Sequence, residues 1–189
     1  MKEYVIILML FLGIRSNMAD YSEDQIIDSE LGAMTNYDTG ALFYDKVLNE
    51  ASNHWDVDPI ELQGMLDKIA YHESAHSMQS DIKQLSGGPG RGLFQFEVGE
   101  GQGGATAGNR LINFLKKEGS DIPDWLGSQV GASGLIDSLD ASKLSPEQQK
   151  MLFLGNYRMH PDASLKGVNE GNLGDFWAKY HWAGDKEGS

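Results

Sequence analysis

The sequence predicts a mainly α domain, α+β at most, and three observations carry that expectation. Apolar residues recur at helical spacing in five separate stretches between residues 41 and 181. Two of those stretches open on strong helix-start signals, Asp58-Pro59 and Ser145-Pro146-Glu147-Gln148. The segments between them are rich in glycine, serine and proline and too polar for strands of any length.

Taken in order, residues 1–40 stand apart. Val5 to Ile14 is a ten-residue apolar run behind Lys2-Glu3. It is shorter than the roughly 20 residues that span a bilayer and has the length of a signal-peptide core. The site after Ala19 matches a cleavage site poorly, with Asn17 where a small residue is usual. Export signal, packing arm and extension of the folded unit all stay open, and membrane contact is expected only through this run. Residues 19–40 are acidic and weakly periodic and read as an irregular arm, with a short helix near Gln25 to Leu31.

The folded domain is expected over residues 41–189. A first helix runs from about Ala41 to Asn53 with Leu42, Phe43, Val47 and Leu48 inward. Asp58 caps a second helix, proline takes its first position, and the pattern continues to about His76. Ser77 to Gly92 is a break that accommodates a glycine-rich loop or small hairpin. A third helix spans Ala105 to Lys117, with Ala107, Leu111, Phe114 and Leu115 on one face and two lysines at its favourable C-terminal end. A helical turn follows Asp124. Ser145 with Gln148 forms a capping box for a helix to about His160, and Asn172 or Asp175 caps a last helix through Phe176, Trp177 and Tyr180.

Composition narrows the function. Acidic residues number 28 against 15 basic ones, a formal charge of −13. Non-specific binding of nucleic acid or anionic lipid needs clustered Lys and Arg, so neither is expected as a partner. No cysteine is present, which excludes disulfides, thiolate metal sites and cysteine nucleophiles.

The chemistry concentrates in Ile69-Ala70-Tyr71-His72-Glu73-Ser74-Ala75-His76 and the glycine-rich turn after it. Leu62, Leu66, Ile69 and Glu73 are spaced by four, three and four residues, which places Glu73 on the apolar stripe of its helix. A carboxyl group there is desolvated, and desolvation raises its pKa toward the range useful for general acid catalysis. The same residues spell His-Glu-x-x-His, so an alternative is a zinc metallopeptidase with His72 and His76 as ligands and Glu73 as base. That reading needs a third ligand, for which Glu97 and Glu100 are the nearest carboxylates after the turn. Glu73 as a buried acid paired with Arg91 or Arg110 is the structural alternative.

Glu73-Ser74, followed 19 residues after Glu73 by Gly92-Leu93-Phe94-Gln95-Phe96, resembles the Glu-Ser and Gly-Leu-Met-Gln motifs of lytic transglycosylases and goose-type lysozymes. The stretch from Gly88 to Glu97 looks most like phage virion-associated peptidoglycan-degrading proteins. Tyr180-His181-Trp182-Ala183-Gly184 resembles the clan's later Ala-Tyr-Asn-Ala-Gly motif at Ala183 and Gly184 only. The resemblance implies a lysozyme-like domain with the glycine-rich turn beside the catalytic helix. It implies cleavage of the β-1,4 bond between N-acetylmuramic acid and N-acetylglucosamine, with Glu73 as general acid/base and no cofactor or metal.

The outcome is a 1,6-anhydro product, as in a lytic transglycosylase, or hydrolysis with a second carboxylate, Glu97, about 6.5–9.5 Å away, as in a muramidase. Ser74, Phe94, Gln95 and Tyr180 are the implied substrate-binding residues, with Ser74 also bonding locally to order the helix end. Peptidoglycan glycan strands and other virion or tail proteins are the implied partners. The implied location is a virion component acting in the host envelope or periplasm, or an exported periplasmic protein. A third expectation, from another class, is a catalytically inactive lysozyme-like structural or wall-binding module. The acidity fits a module or enzyme delivered by tethering, since bacterial walls are themselves anionic.

Overall fold

The computed structural model describes residues 40–84, 87–99, 103–160, 163–169 and 171–180. The amino-terminal apolar run, the acidic arm, Glu100 and the Ala183-Gly184 pair lie outside the described residues. Helix α1 covers residues 40–55. Its buried face is Tyr44, Val47, Leu48, Ala51, Ser52 and Trp55. Leu42, expected inward, is 68% exposed, because Tyr44 two positions later takes the stripe and Leu42 then falls on the far side. The Tyr44 hydroxyl donates to Gln63 Oε1, which explains how a phenol sits on that face.

Helix α2, Pro59–Glu73, starts as the sequence predicts: Asp58 Oδ1 accepts from the amides of Ile60 and Glu61. It buries Leu62, Met65, Leu66, Ile69 and Ala70. Its end differs from the expected His76. The chain leaves the helix after Glu73, with Ala75 at φ 50° and His76 at φ 67°. The His76 amide donates to Tyr71 O and the Ala75 amide to His72 O, the paired bonds of a Schellman cap. The left-handed position is filled by alanine here, so no glycine announces the stop. A left-handed residue likewise ends α1, at Asp56, and the later helix that stops at Lys117, at Gly119.

The break after α2 folds into a small antiparallel hairpin, β1 (Gly90–Arg91) and β2 (Phe96–Glu97), with Gly90 opposite Glu97 and Arg91 opposite Phe96. Lys83 adds an isolated bridge to Arg91. Helix α3, Gly103–Lys117, begins two residues before the expected Ala105 and buries the predicted Ala107, Leu111, Phe114 and Leu115. The one-turn helix α4, Asp124–Gly127, and a 3-10 turn at Ala141–Lys143 lead to helix α5, Pro146–Arg158. Both bonds of the Ser145–Gln148 capping box are formed. Helix α6, Leu173–Tyr180, closes the described chain. Asp175 lies in its first turn, while the Asn172 side chain bridges Asn169 N and Gly167 O in the preceding loop.

The protein is therefore mainly helical with one two-stranded sheet among the described residues. Residues from Gly40 onward form one compact unit. Its centre is the packing of α3 against α5. Gly155 makes that crossing close: a Cβ there would lie 2.6 Å from Leu111 Cα. The loop between α3 and α5 is held by Asn109, whose side chain donates to Ile136 O and accepts from Ile136 N, each at 2.9 Å. No described helix is long and apolar enough to cross a membrane.

Candidate active site around Glu73

Glu73 is the last residue of α2 and continues the buried stripe of Leu62, Leu66 and Ile69 to the edge of the core. Its side chain is half-buried. Trp177 Nε1, on α6, donates to Glu73 Oε1 at 2.6 Å. Burial pushes the carboxyl group above the usual glutamate range, while the Trp177 hydrogen bond and the charge of His72 pull it partly back. Neither arginine considered as an ion-pair partner takes that role. Arg91 donates to Gly88 O and Gly90 O, and Arg110 to Asn156 Oδ1.

Aromatic packing fixes the Trp177 indole. Phe153 on α5 is fully buried and meets three rings: Phe94 at 4.8 Å, Tyr157 at 4.5 Å and Trp177 at 5.9 Å, the last nearly parallel. One side chain thus links the hairpin turn, α5 and α6 around the glutamate. The buried Tyr157 phenol is held above its ordinary range, first by desolvation and then by the Glu73 carboxylate, with Arg110 opposing. Tyr157 therefore senses the charge of Glu73, a neighbour that sequence spacing does not disclose.

The Gly92-Leu93-Phe94-Gln95 segment is the turn of the β1–β2 hairpin. Gly92 has φ 74°, and a Cβ on it would fall 2.2 Å from Gln149 Oε1. Gln149, on α5, is fully buried; its Oε1 accepts from Leu93 N at 2.6 Å. Its Nε2 donates to Ser80 O at 2.8 Å and Leu144 O at 2.9 Å. The glycine turn is thus fastened to the core through one buried amide. Sequence reasoning missed Gln149, and the signal lay in its place on the inward face of α5 between Ser145 and Leu152.

The other sequence-predicted residues sort clearly. Phe94 and Ser74 have no exposed surface. Phe94 packs on Phe153, and Ser74 Oγ accepts from Met78 N at 3.0 Å, ordering the turn after α2. Both side chains belong to the frame and present nothing to a ligand. Gln95, at φ 49°, donates from Nε2 to Gly92 O at 2.7 Å, and its Oε1 is buried without a partner. Its amide closes the turn it was expected to extend from. Tyr180 packs against His160 and Phe176, so Trp177, one turn earlier on α6, is the aromatic residue that reaches Glu73.

Glu97 is exposed in β2 opposite Gly90. The zinc alternative loses its helical register: α2 ends before His76, so His72 and His76 do not share a helix face. Their rings stay 5.8 Å apart, with His76 stacked on Tyr71 at 4.4 Å. No group of three or more His, Asp or Glu side chains suited to a metal gathers among the described residues.

No protein-family model, curated protein or solved structure matches this chain. The site is therefore read on its chemistry alone: a half-buried carboxyl group with a raised pKa, one donor on Oε1, and no ion pair among the described residues. A carboxyl group shifted in this direction is suited to giving and taking a proton in catalysis.

Proposed function

We propose that this protein is a lysozyme-like enzyme that cleaves the β-1,4 bond between N-acetylmuramic acid and N-acetylglucosamine in peptidoglycan, with Glu73 as the general acid/base. The observation that carries the reading is Glu73 itself, at the end of a buried helix stripe, desolvated, and held by Trp177 without an ion pair. The hairpin turn Gly92–Gln95 supports it, because Phe94 and Trp177 meet the same Phe153 ring and so anchor turn and glutamate to a common core.

In this mechanism the protonated Glu73 donates to the glycosidic oxygen as positive charge develops on the sugar ring. The carboxylate left behind takes a proton from the muramyl 6-hydroxyl, whose oxygen closes a 1,6-anhydro ring. Water is not needed. That assignment favours a lytic transglycosylase over a muramidase, since Glu97 is exposed in β2 and no ion pair or hydrogen bond among the described residues draws its carboxylate toward Glu73. The resemblance in the Gly88–Glu97 stretch extends the proposal to a virion component acting in the host envelope.

The test is digestion of purified peptidoglycan, with and without EDTA, and mass spectrometry of the soluble products. Anhydromuropeptides released equally in both are the expected result. Products one water heavier with reducing muramyl ends would make it a muramidase, and EDTA-sensitive peptide cleavage would replace the proposal with the metallopeptidase. No release would leave a wall-binding module.

A further inference from the structure

We propose that Trp177 is a positioning residue that fixes which oxygen of Glu73 carries the proton. The indole Nε1–H is a donor only, in every protonation state of its partner. It donates to Oε1 at 2.6 Å. In a neutral carboxylic acid the carbonyl oxygen is much the stronger acceptor, so the oxygen that accepts this bond keeps carbonyl character and the proton sits on Oε2. Oε2 makes no hydrogen bond to any described residue and is not among the buried, unpartnered atoms. Trp177 thus divides the two oxygens between an anchored acceptor and a free, proton-bearing one.

The indole is held for this task by a ring contact with α5. Its ring stacks on Phe153 at 5.9 Å with an interplanar angle of 17°, and Phe153 is locked between Phe94 and Tyr157. His72 on α2 acts on Glu73 electrostatically, and Glu73 in turn acts on Tyr157 on α5, where Arg110 on α3 opposes it. None of these bonds to Glu73. Among the described residues Trp177 alone does, and its bond favours the charged carboxylate, so it also limits how far burial raises the acid. The inference rests on the proposed general-acid role for the use made of Oε2, but the bond and its proton placement stand or fall separately.

The experiment is an NMR titration of the full chain labelled at glutamate Cδ and at the tryptophan indole nitrogens. The E73Q variant assigns the glutamate resonance, and W177F assigns the indole one. In the wild-type protein the Trp177 indole proton should shift with the same midpoint as Glu73, and that shift should vanish in E73Q, whose amide oxygen still accepts the bond. In W177F the Glu73 midpoint should move to higher pH. With peptidoglycan as substrate, W177F should lose roughly 10- to 100-fold in kcat with little change in KM, and the alkaline limb of its pH profile should move upward with the Glu73 midpoint. A wild-type indole resonance that stays flat through the Glu73 transition would overturn the proposal without any variant having to fold. So would an unchanged Glu73 midpoint in a folded W177F. Loss of the glycan-cleaving reading would show instead as E73Q retaining wild-type turnover, a result these titrations do not depend on.

Discussion

Trp177 donates its indole N–H to the carboxylate of Glu73 across 104 residues of sequence, and this bond joins the last described helix to the end of the second. It is the one direct polar contact that Glu73 makes among the described residues. Around it the aromatic side chains of α5 and the hairpin turn are packed without a gap in the chain of ring contacts.

Glu73→Gln should lower peptidoglycan cleavage by at least about a hundredfold, the scale of a lost general acid. Gln keeps the acceptor for Trp177, so far-ultraviolet circular dichroism should not change. His72→Ala and His76→Ala should each retain most activity, because neither side chain hydrogen-bonds to Glu73. Equal damage from all three would return the metal reading.

The pH dependence has a definite sign. Burial raises the Glu73 pKa above its unfolded value, so between the two values the folded state binds more protons than the unfolded chain. The stabilising contribution is complete below the unfolded pKa and is lost as pH rises through the folded one. Urea midpoints of wild type and Glu73→Gln should therefore converge at about pH 4 and separate in favour of the variant at about pH 8. Cleavage should fall over the same interval as the acid form disappears. A variant advantage that grows toward acid would contradict the burial of this carboxyl group.

Gly92→Ala and Gln149→Leu test how the hairpin is fastened. Alanine at Gly92 meets both a left-handed backbone and Gln149 Oε1, and should cost about 2–4 kcal/mol in urea denaturation. Leucine at Gln149 leaves Leu93 N, Ser80 O and Leu144 O without their partner and should cost a similar amount. Hydrogen exchange at the Leu93 amide should accelerate in both. Protection retained in Gln149→Leu would mean that the turn is held by packing alone.

Gly155→Ala should be more damaging than an alanine in mid-helix normally is. Helix propensity favours the change by roughly 1 kcal/mol. The new Cβ, however, meets the Leu111 backbone at 2.6 Å, and α3 must move to admit it. A net loss of about 1–3 kcal/mol is expected from thermal or urea unfolding. A more stable Gly155→Ala protein would show that α3 and α5 are farther apart than described.

Local chemistry was legible in the sequence wherever it acts over a few residues. Asp58-Pro59 and Ser145 with Gln148 started their helices as expected, because a cap bonds amides two or three positions away. The stripe of Leu62, Leu66 and Ile69 likewise placed Glu73 at the border of the core. The end of α2 was not legible, since Ala75 takes the left-handed position that glycine usually marks. With it went the register of His72 and His76. Nor did spacing show that Tyr44 displaces Leu42, that Gln149 holds Leu93, or that Trp177 and not Tyr180 meets Glu73. Those relations join residues 56 and 104 positions apart, or turn on which of two apolar side chains fits an already packed face. Periodicity orients one helix about its own axis; only packing between helices decides which side chain it meets.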